Sequence, residues 1–183
     1  RRGDGFLENE DYVVTWCVGH LVQLSYPAAY DEKFQKWSFD TLPFIPKADE
    51  WKYEVSKGTA KQFAVVAKQL NRPDVETIYI CTDSAREGEY IYRLVDMMAE
   101  VPKEKERRRV WIDSQTNEEI LRGIREAKLD SEYDHLSAAA FSRAKEDYLM
   151  GINFSRALSL KYRYRIKQQL GMKPEEKMTV AVG

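Results

Sequence analysis

The chain has 183 residues, 43% of them hydrophobic, so it can bury a core in one domain or in one domain and part of a second. No apolar run approaches the roughly 18 residues of a membrane span, and the polar start lacks the apolar stretch of a secretory signal, so we expect a cytoplasmic protein without membrane contact. A net charge of -1 argues neither for nor against a polyanionic partner. Cys17 and Cys81 lack CxxC spacing, which predicts reduced core residues and no zinc site.

The first third of the chain predicts one strand, one irregular segment and one helix. Asp11 to Val18 has strand composition and is followed by a glycine and a lone histidine, His20. Prolines interrupt Ser25 to Lys47 so often that we expect an extended excursion over the domain surface. Thr59 to Leu70 carries apolar residues at helical spacing, which predicts a helix.

The central part of the chain has the alternation of an α/β fold. Thr77 to Cys81 is rich in strand-forming residues, and Tyr90 to Ala99 carries apolar residues at helical spacing, so Asp83 to Glu89 is predicted to be a strand-to-helix turn. Another strand is predicted at Arg109 to Ile112. This order predicts a Rossmann-like parallel sheet with crossover helices, whose chemistry lies where the strands end.

Two further helices are predicted after the sheet. Thr116 to Glu119 matches the capping box that starts a helix, so we predict a helix over Asn117 to Ala127. Apolar residues then recur every four positions, which predicts a long helix from about Glu132 towards Leu160 with an interruption at Gly151. We therefore expect an α/β domain over residues 1–130 and the start of a helical domain over residues 131–183.

Basic residues are concentrated near the C-terminal end. From Ile152 to Leu170 the charged residues include no acid; they are Arg156, Lys161, Arg163, Arg165 and Lys167. This segment could face phosphates or could be a solvated helix face, and both interpretations stay open. Tyr162 and Tyr164 alternate with the cations, so they could stack on bases or pack a helix; the sequence favours packing.

The turn between the central strand and helix carries a dense group of charges. Asp83, Glu87 and Glu89 are spaced so that their carboxylates converge, which suits Mg²⁺, and Arg86 adds a donor for phosphate. The alternative is structural: Ser84 to Glu87 is itself a capping box, and acids are ordinary in a first helical turn. Spacing alone leaves both interpretations open and favours the helix cap.

Four ordered motifs resemble one family. Thr82 to Glu89 (TDSAREGE) resembles the signature of the Toprim domain as it occurs in type IA DNA topoisomerases, T-D-x-D-R-E-G-E. Three further segments are similar to the family's other motifs: Val18 to Leu21 with Trp37 to Pro46, Trp111 to Thr116, and Phe141 to Leu158. The chain is thereby identified as a member of this family, and its Asn153 to Leu158 segment is most similar to the topoisomerase III subfamily.

The resemblance implies an ATP-independent isomerase. A tyrosine transiently cleaves one DNA strand and becomes joined to the 5′-phosphate, and religation follows strand passage. Asp83 and Glu87 would hold Mg²⁺, and Glu87, His20 and Arg86 would act in catalysis. His20 would also contact DNA at the cleavage site.

The resemblance also implies contacts with single-stranded DNA from the helical region. Arg143, Ser155 and Arg156 would bind its phosphates. Arg143 and Asp147 are four residues apart, so an intrahelical ion pair is the alternative for that arginine.

The chain departs from the family pattern in three places. Ala85 stands where the family has a second aspartate, which predicts weaker metal binding. The family's first strand, with its glutamate, and the nucleophilic tyrosine have no match here, and Gly183 falls where the next family motif opens. We therefore expect a monomeric fragment, associated with the nucleoid and inactive without the remaining domains of its polypeptide. Alternative functions are another Toprim enzyme, a primase or nuclease, or a non-catalytic DNA-binding module.

Overall fold

A computed structural model of the chain describes residues 1–173 and 175–182. The sequence also predicts that Pro174 helps to end the long helix. This position, and Gly183 as the start of a family motif, lie outside the described residues. Cys17 and Cys81 are free thiols as predicted, but Cys81 is exposed, so its expected place in the core is wrong.

The chain divides into two compact units. The first contains residues 1–23 and 53–141, and the second contains residues 24–52 and 142–183. The proline-rich excursion is thus grouped with the C-terminal segment. The two units divide the chain after residues 23, 52 and 141. The expected boundary between domains at residue 130 stays a prediction.

Short strands form three sheets among the described residues. The strands are β1 (Arg2–Gly3), β2 (Phe6–Glu8), β3 (Val13–Thr15), β4 (Val22–Leu24), β5 (Tyr53–Val55), β6 (Thr77–Ile80), β7 (Glu106–Arg109) and β8 (Lys128–Leu129). β1, β2 and β3 form an antiparallel sheet, and β4 pairs with β5. In the third sheet β6 and β7 are parallel and β8 is antiparallel to β7, which makes this sheet mixed.

Four α-helices are described: α1 (Ala60–Leu70), α2 (Arg86–Met98), α3 (Asn117–Arg125) and α4 (Asp134–Gln169). α1, α2 and α3 lie close to where the sequence predicts them. α4 is continuous through Gly151, so the predicted interruption is wrong. Within the described part of the chain, no helix has both the length and the apolar content for crossing a membrane.

The β6–α2–β7 unit confirms the α/β prediction. Ile78 and Ile80 are buried while Tyr79 between them is exposed, so β6 packs one face against the helix layer. Ile78 and Ile80 form a core cluster with Tyr92 of α2 and Val101. The parallel register pairs Ile80 with Arg109, which places the start of the acidic turn beyond the carboxyl end of β6.

α3 begins with half of the predicted capping box. The Thr116 Oγ1 accepts a hydrogen bond from the Glu119 N–H at 3.3 Å. The Glu119 carboxylate does not return to Thr116; it accepts from the Arg122 guanidinium and, at 3.5 Å, from the Asp113 N–H. Of the two hydrogen bonds of a capping box, the start of α3 therefore has the one from the Glu119 N–H to the Thr116 hydroxyl.

An aromatic cluster forms the core of the second unit. Phe44 is 2% exposed, and the rings of Tyr30, Phe34 and Tyr148 pack edge-on against it. The excursion therefore carries its own buried anchor despite having no long regular element.

Candidate functional site

The acidic turn, residues 82–89, comprises the end of the connection from β6 to α2 and the first turn of α2. The residue at the N-cap of α2 is Ala85, whose side chain makes no capping bond. Ser84 is used elsewhere: its Oγ accepts from the Ile112 N–H at 3.0 Å and donates to the Ile112 carbonyl at 2.9 Å. The capping-box interpretation of this turn is therefore wrong, because the Ser84 hydroxyl is hydrogen-bonded to the backbone of Ile112, in the segment after β7.

Gly88 allows the start of α2 to lie against the backbone of Asp83. A Cβ atom on Gly88 would lie 2.2 Å from the Asp83 carbonyl oxygen and 2.5 Å from its amide nitrogen. The Thr82 Oγ1 also donates to the Gly88 carbonyl at 2.7 Å. The turn is therefore folded back on the helix at a position where only glycine fits.

The structure brings His20 and Glu87 together from different motifs. The His20 Nε2 lies 2.5 Å from the Glu87 Oε1, although the residues are 67 positions apart. Both side chains remain accessible, with 41% and 64% exposure. His20 also lies 6.0 Å, centroid to centroid, from the ring of Tyr90. The His20 imidazole therefore lies beside an exposed carboxylate at the first turn of α2.

The remaining exposed groups of the turn provide oxygen ligands and one cation. Among the described residues, the side chains of Asp83 and Arg86 form no hydrogen bond or ion pair. Asp83 and Glu87 fit Mg²⁺, which takes one or two carboxylates together with waters and phosphate oxygens. Ala85 contributes only a methyl group. Within the described residues no group of three or more His, Cys, Asp or Glu is arranged to hold a metal, so a closed protein cage does not fit.

Glu89 does not belong to this exposed set. Its side chain is fully buried and pairs with two arginines: Arg93 Nε lies 2.7 Å from Oε1, and Arg109 Nε lies 3.2 Å from Oε2. The expectation that three carboxylates converge on one metal is therefore wrong for Glu89. Its charge is paired with two guanidinium groups inside the protein.

Arg109 is hydrogen-bonded to the backbone that leads into the acidic turn. Its guanidinium is 0% exposed and donates to the carbonyls of Ile80 at 3.1 Å, Thr82 at 2.7 Å, and Asp83. Burial lowers the pKa of Arg109, and the charge of Glu89 opposes this shift. The buried pair thus fixes the carbonyls that lead into Asp83.

Arg93 extends the network to the start of α4. Its guanidinium lies 3.1 Å from the Asp130 carboxylate and 3.0 Å from the Asp134 carboxylate. Asp130 is 5% exposed, and burial raises its pKa to about 6. The half-buried Arg93 therefore links two buried carboxylates, Glu89 and Asp130.

Sequence reasoning missed the roles of Arg93, Arg109 and Asp130. One signal was present, because Glu89 and Arg93 are four residues apart on a predicted helix. Nothing in the spacing identifies Arg109 as their partner, since that contact depends on how β7 lies beside β6.

The three DNA-binding candidates of α4 lie in different environments. Arg143 is exposed and donates to the Asp147 carboxylate at 2.8 Å, so the alternative ion pair is present. The Ser155 Oγ accepts from the Val182 N–H at 2.9 Å. Arg156 is 4% exposed and lies over the Trp37 ring at 5.4 Å, and its Nε and Nη1 have no hydrogen-bond partner among the residues that the structure describes.

The chain is similar to known proteins over most of its length. Residues 4–114 match the Toprim domain family. DNA topoisomerase 3 of Bacillus subtilis (strain 168) is 42% identical over 162 residues, which cover 88% of this chain and 22% of that relative. The same enzyme of Bacillus cereus (strain ATCC 14579) is 40% identical and that of Bacillus licheniformis 41% identical, with the same coverage. The chain thus spans 22% of the length of these relatives.

Proposed function

Because the chain belongs to the Toprim domain family, we propose that it forms part of a type IA DNA topoisomerase of the topoisomerase III subfamily. The observation that carries this proposal is the 2.5 Å contact between His20 and Glu87 at the acidic turn. Two motifs that are distant in the chain meet there, as a shared site requires. The relatives, named DNA topoisomerase 3, support this function over a primase, a nuclease or a non-catalytic module.

The acidic turn is proposed to bind a DNA phosphate together with Mg²⁺. Asp83 and Glu87 would hold the ion, which when bound neutralises phosphate charge and lets an acidic site approach a polyanion. Arg86 would donate to the same phosphate. His20 would hold or move a proton at its Nε2, the atom that faces Glu87.

The second unit is proposed to bind single-stranded DNA through Arg143, Ser155 and Arg156. The buried Arg156 supports this, because a desolvated guanidinium with unpaired nitrogens is costly and an anion would relieve that cost. Ser155 accepts one hydrogen bond, so its O–H remains able to donate.

The remaining domains of the same polypeptide are proposed to supply the nucleophilic tyrosine. The 183-residue chain by itself should then leave supercoiled DNA unrelaxed in a gel assay. The whole enzyme is proposed to act as a monomer at the nucleoid.

Calorimetry tests the metal site directly. Mg²⁺ is titrated into the 183-residue chain, into Asp83→Asn and Glu87→Gln, and into Glu104→Gln, an exposed carboxylate outside the turn that serves as control. We expect both turn variants to weaken or abolish binding and the control to bind like wild type. Isotherms that do not differ among the four proteins would remove the metal site from the proposal.

A further inference from the structure

One turn of α4 consists of exposed residues. Residues 161–165, here called the basic turn, are all exposed, and five consecutive residues exceed the roughly 3.6 that make one helical turn. Most of the surface of this turn therefore faces solvent. Tyr164 is 73% exposed, so the sequence-based preference for packing is wrong for this ring, whereas Tyr162 is 37% exposed and most of its surface is covered.

The basic turn carries cations without acidic partners. Lys161, Arg163 and Arg165 form no ion pair with the residues that the structure describes, and no acid occurs between Ile152 and Met172. Arg143, an exposed arginine of the same helix, differs, because it is paired with Asp147. Three like charges on one unpaired turn produce a local positive field that attracts a polyanion.

Tyr164 adds an exposed aromatic ring to the three cations of the basic turn. Its hydroxyl accepts a hydrogen bond from the Gln168 Nε2 at 3.0 Å, which restrains the side chain while the ring stays in solvent. Exposed aromatic rings among cations bind single strands, because unpaired bases stack on the ring while the cations contact the backbone. A duplex keeps its base faces stacked internally, so it would use the cations only.

We propose that the basic turn is a single-stranded DNA site in which Lys161, Arg163 and Arg165 contact phosphates and Tyr164 stacks on a base. This inference rests on the proposed function, and it adds contacts apart from Arg143, Ser155 and Arg156. The site selects by strandedness and not by sequence, since every base has a face that can stack.

The test measures binding of a fluorescent oligothymidine of about 12 nucleotides to the 183-residue chain over a range of salt concentrations. In Lys161→Gln/Arg163→Gln/Arg165→Gln, the slope of log affinity against log salt should become shallower by about 2, or roughly 0.7 for each lost phosphate contact. Tyr164→Ala should bind about fivefold or more weakly with an unchanged slope, while Tyr164→Phe should bind like wild type.

Three controls separate this site from general effects. Lys68→Gln/Lys103→Gln/Lys128→Gln removes the same charge from exposed positions of the first unit and should leave the slope close to that of wild type. An abasic oligonucleotide should bind wild type and Tyr164→Ala equally. A duplex of the same length should likewise be insensitive to Tyr164→Ala.

The outcomes distinguish this inference from the proposed function. If wild type binds the oligonucleotide but the basic-turn variant has the same slope and affinity, or the control variant loses as much, the inference is overturned and the proposed function is unaffected. If Tyr164→Ala binds like wild type, the stacking contact is overturned. If wild type does not bind single strands at all, the proposed function is overturned as well.

Discussion

Asn153 holds the backbone of Phe44 through both groups of its side-chain amide. The Phe44 N–H donates to the Asn153 Oδ1 at 2.6 Å, and the Asn153 Nδ2 donates to the Phe44 carbonyl at 2.8 Å. The same Nδ2 also donates to the Leu149 carbonyl within α4. The excursion is therefore hydrogen-bonded to α4 within the second unit, where their two motifs meet.

Replacing Asn153 tests this contact. Asn153→Ala leaves the Phe44 N–H and carbonyl without partners, which should lower the free energy of unfolding by about 1–3 kcal/mol. Asn153→Asp keeps the acceptor and loses the donor, so its free energy of unfolding should lie between those of wild type and Asn153→Ala. Urea unfolding followed by circular dichroism measures this. Arg143→Gln, in an exposed pair on the same helix, is the control and should cost less than about 0.5 kcal/mol; an equal loss in both variants would contradict the prediction.

Two glycines should respond to alanine in opposite directions. Gly88→Ala places a Cβ 2.2 Å from the Asp83 carbonyl, so the turn must shift, at a cost of about 1–3 kcal/mol. Gly151 lies inside α4 with open space around its Cβ position, so Gly151→Ala should stabilise by about 0.5–1 kcal/mol. Thermal unfolding measures both. A Gly88→Ala variant as stable as wild type would show that the close approach at Gly88 is not limiting, and a destabilised Gly151→Ala would contradict the open space at that position.

The buried pair of Arg109 and Glu89 should behave as a unit. Arg109→Met removes the donors to three carbonyls and leaves the Glu89 charge with Arg93 alone, which should cost about 3–5 kcal/mol. Glu89→Gln in the same chain removes the uncompensated charge, so the double variant should be destabilised less than the sum of the two single variants. Denaturant unfolding of all four proteins gives this coupling, and strict additivity would argue against it.

Asp130 should give stability an unusual dependence on pH. Burial raises its pKa from 3.8 to about 6, so between these values the folded state holds a proton that the unfolded state has released. The contribution of Asp130 is full below the unfolded pKa and is lost as pH rises through the folded pKa, in total about 3 kcal/mol.

Asp130→Asn removes this term. The stability of the variant relative to wild type should therefore improve by up to about 3 kcal/mol between about pH 4 and about pH 7. Urea unfolding at several pH values measures the difference. Asp134→Asn, on the exposed partner of the same arginine, is the matched control; a difference that does not vary with pH for Asp130→Asn would contradict the raised pKa.

The local elements of this fold could be predicted from the sequence. α1 and α3 lie close to their predicted ranges, and β6 with α2 was found on either side of the acidic turn, because periodicity, turn residues and helix starts act over a few neighbouring positions. The family resemblance also implied that His20 and Glu87 act at one site, and the structure places the two side chains 2.5 Å apart; their roles stay a prediction.

The sequence by itself determined which residues are candidates for chemistry, while the tertiary structure alone decided how they are used. Glu89 resembled its neighbours in the acidic turn until Arg109, from another strand, placed its charge in the interior. Ser84 had the spacing of a helix cap, yet Ile112 took its hydroxyl. A polar group binds whichever partner packing brings near, and partners that are distant in the chain leave no periodic signal in the sequence.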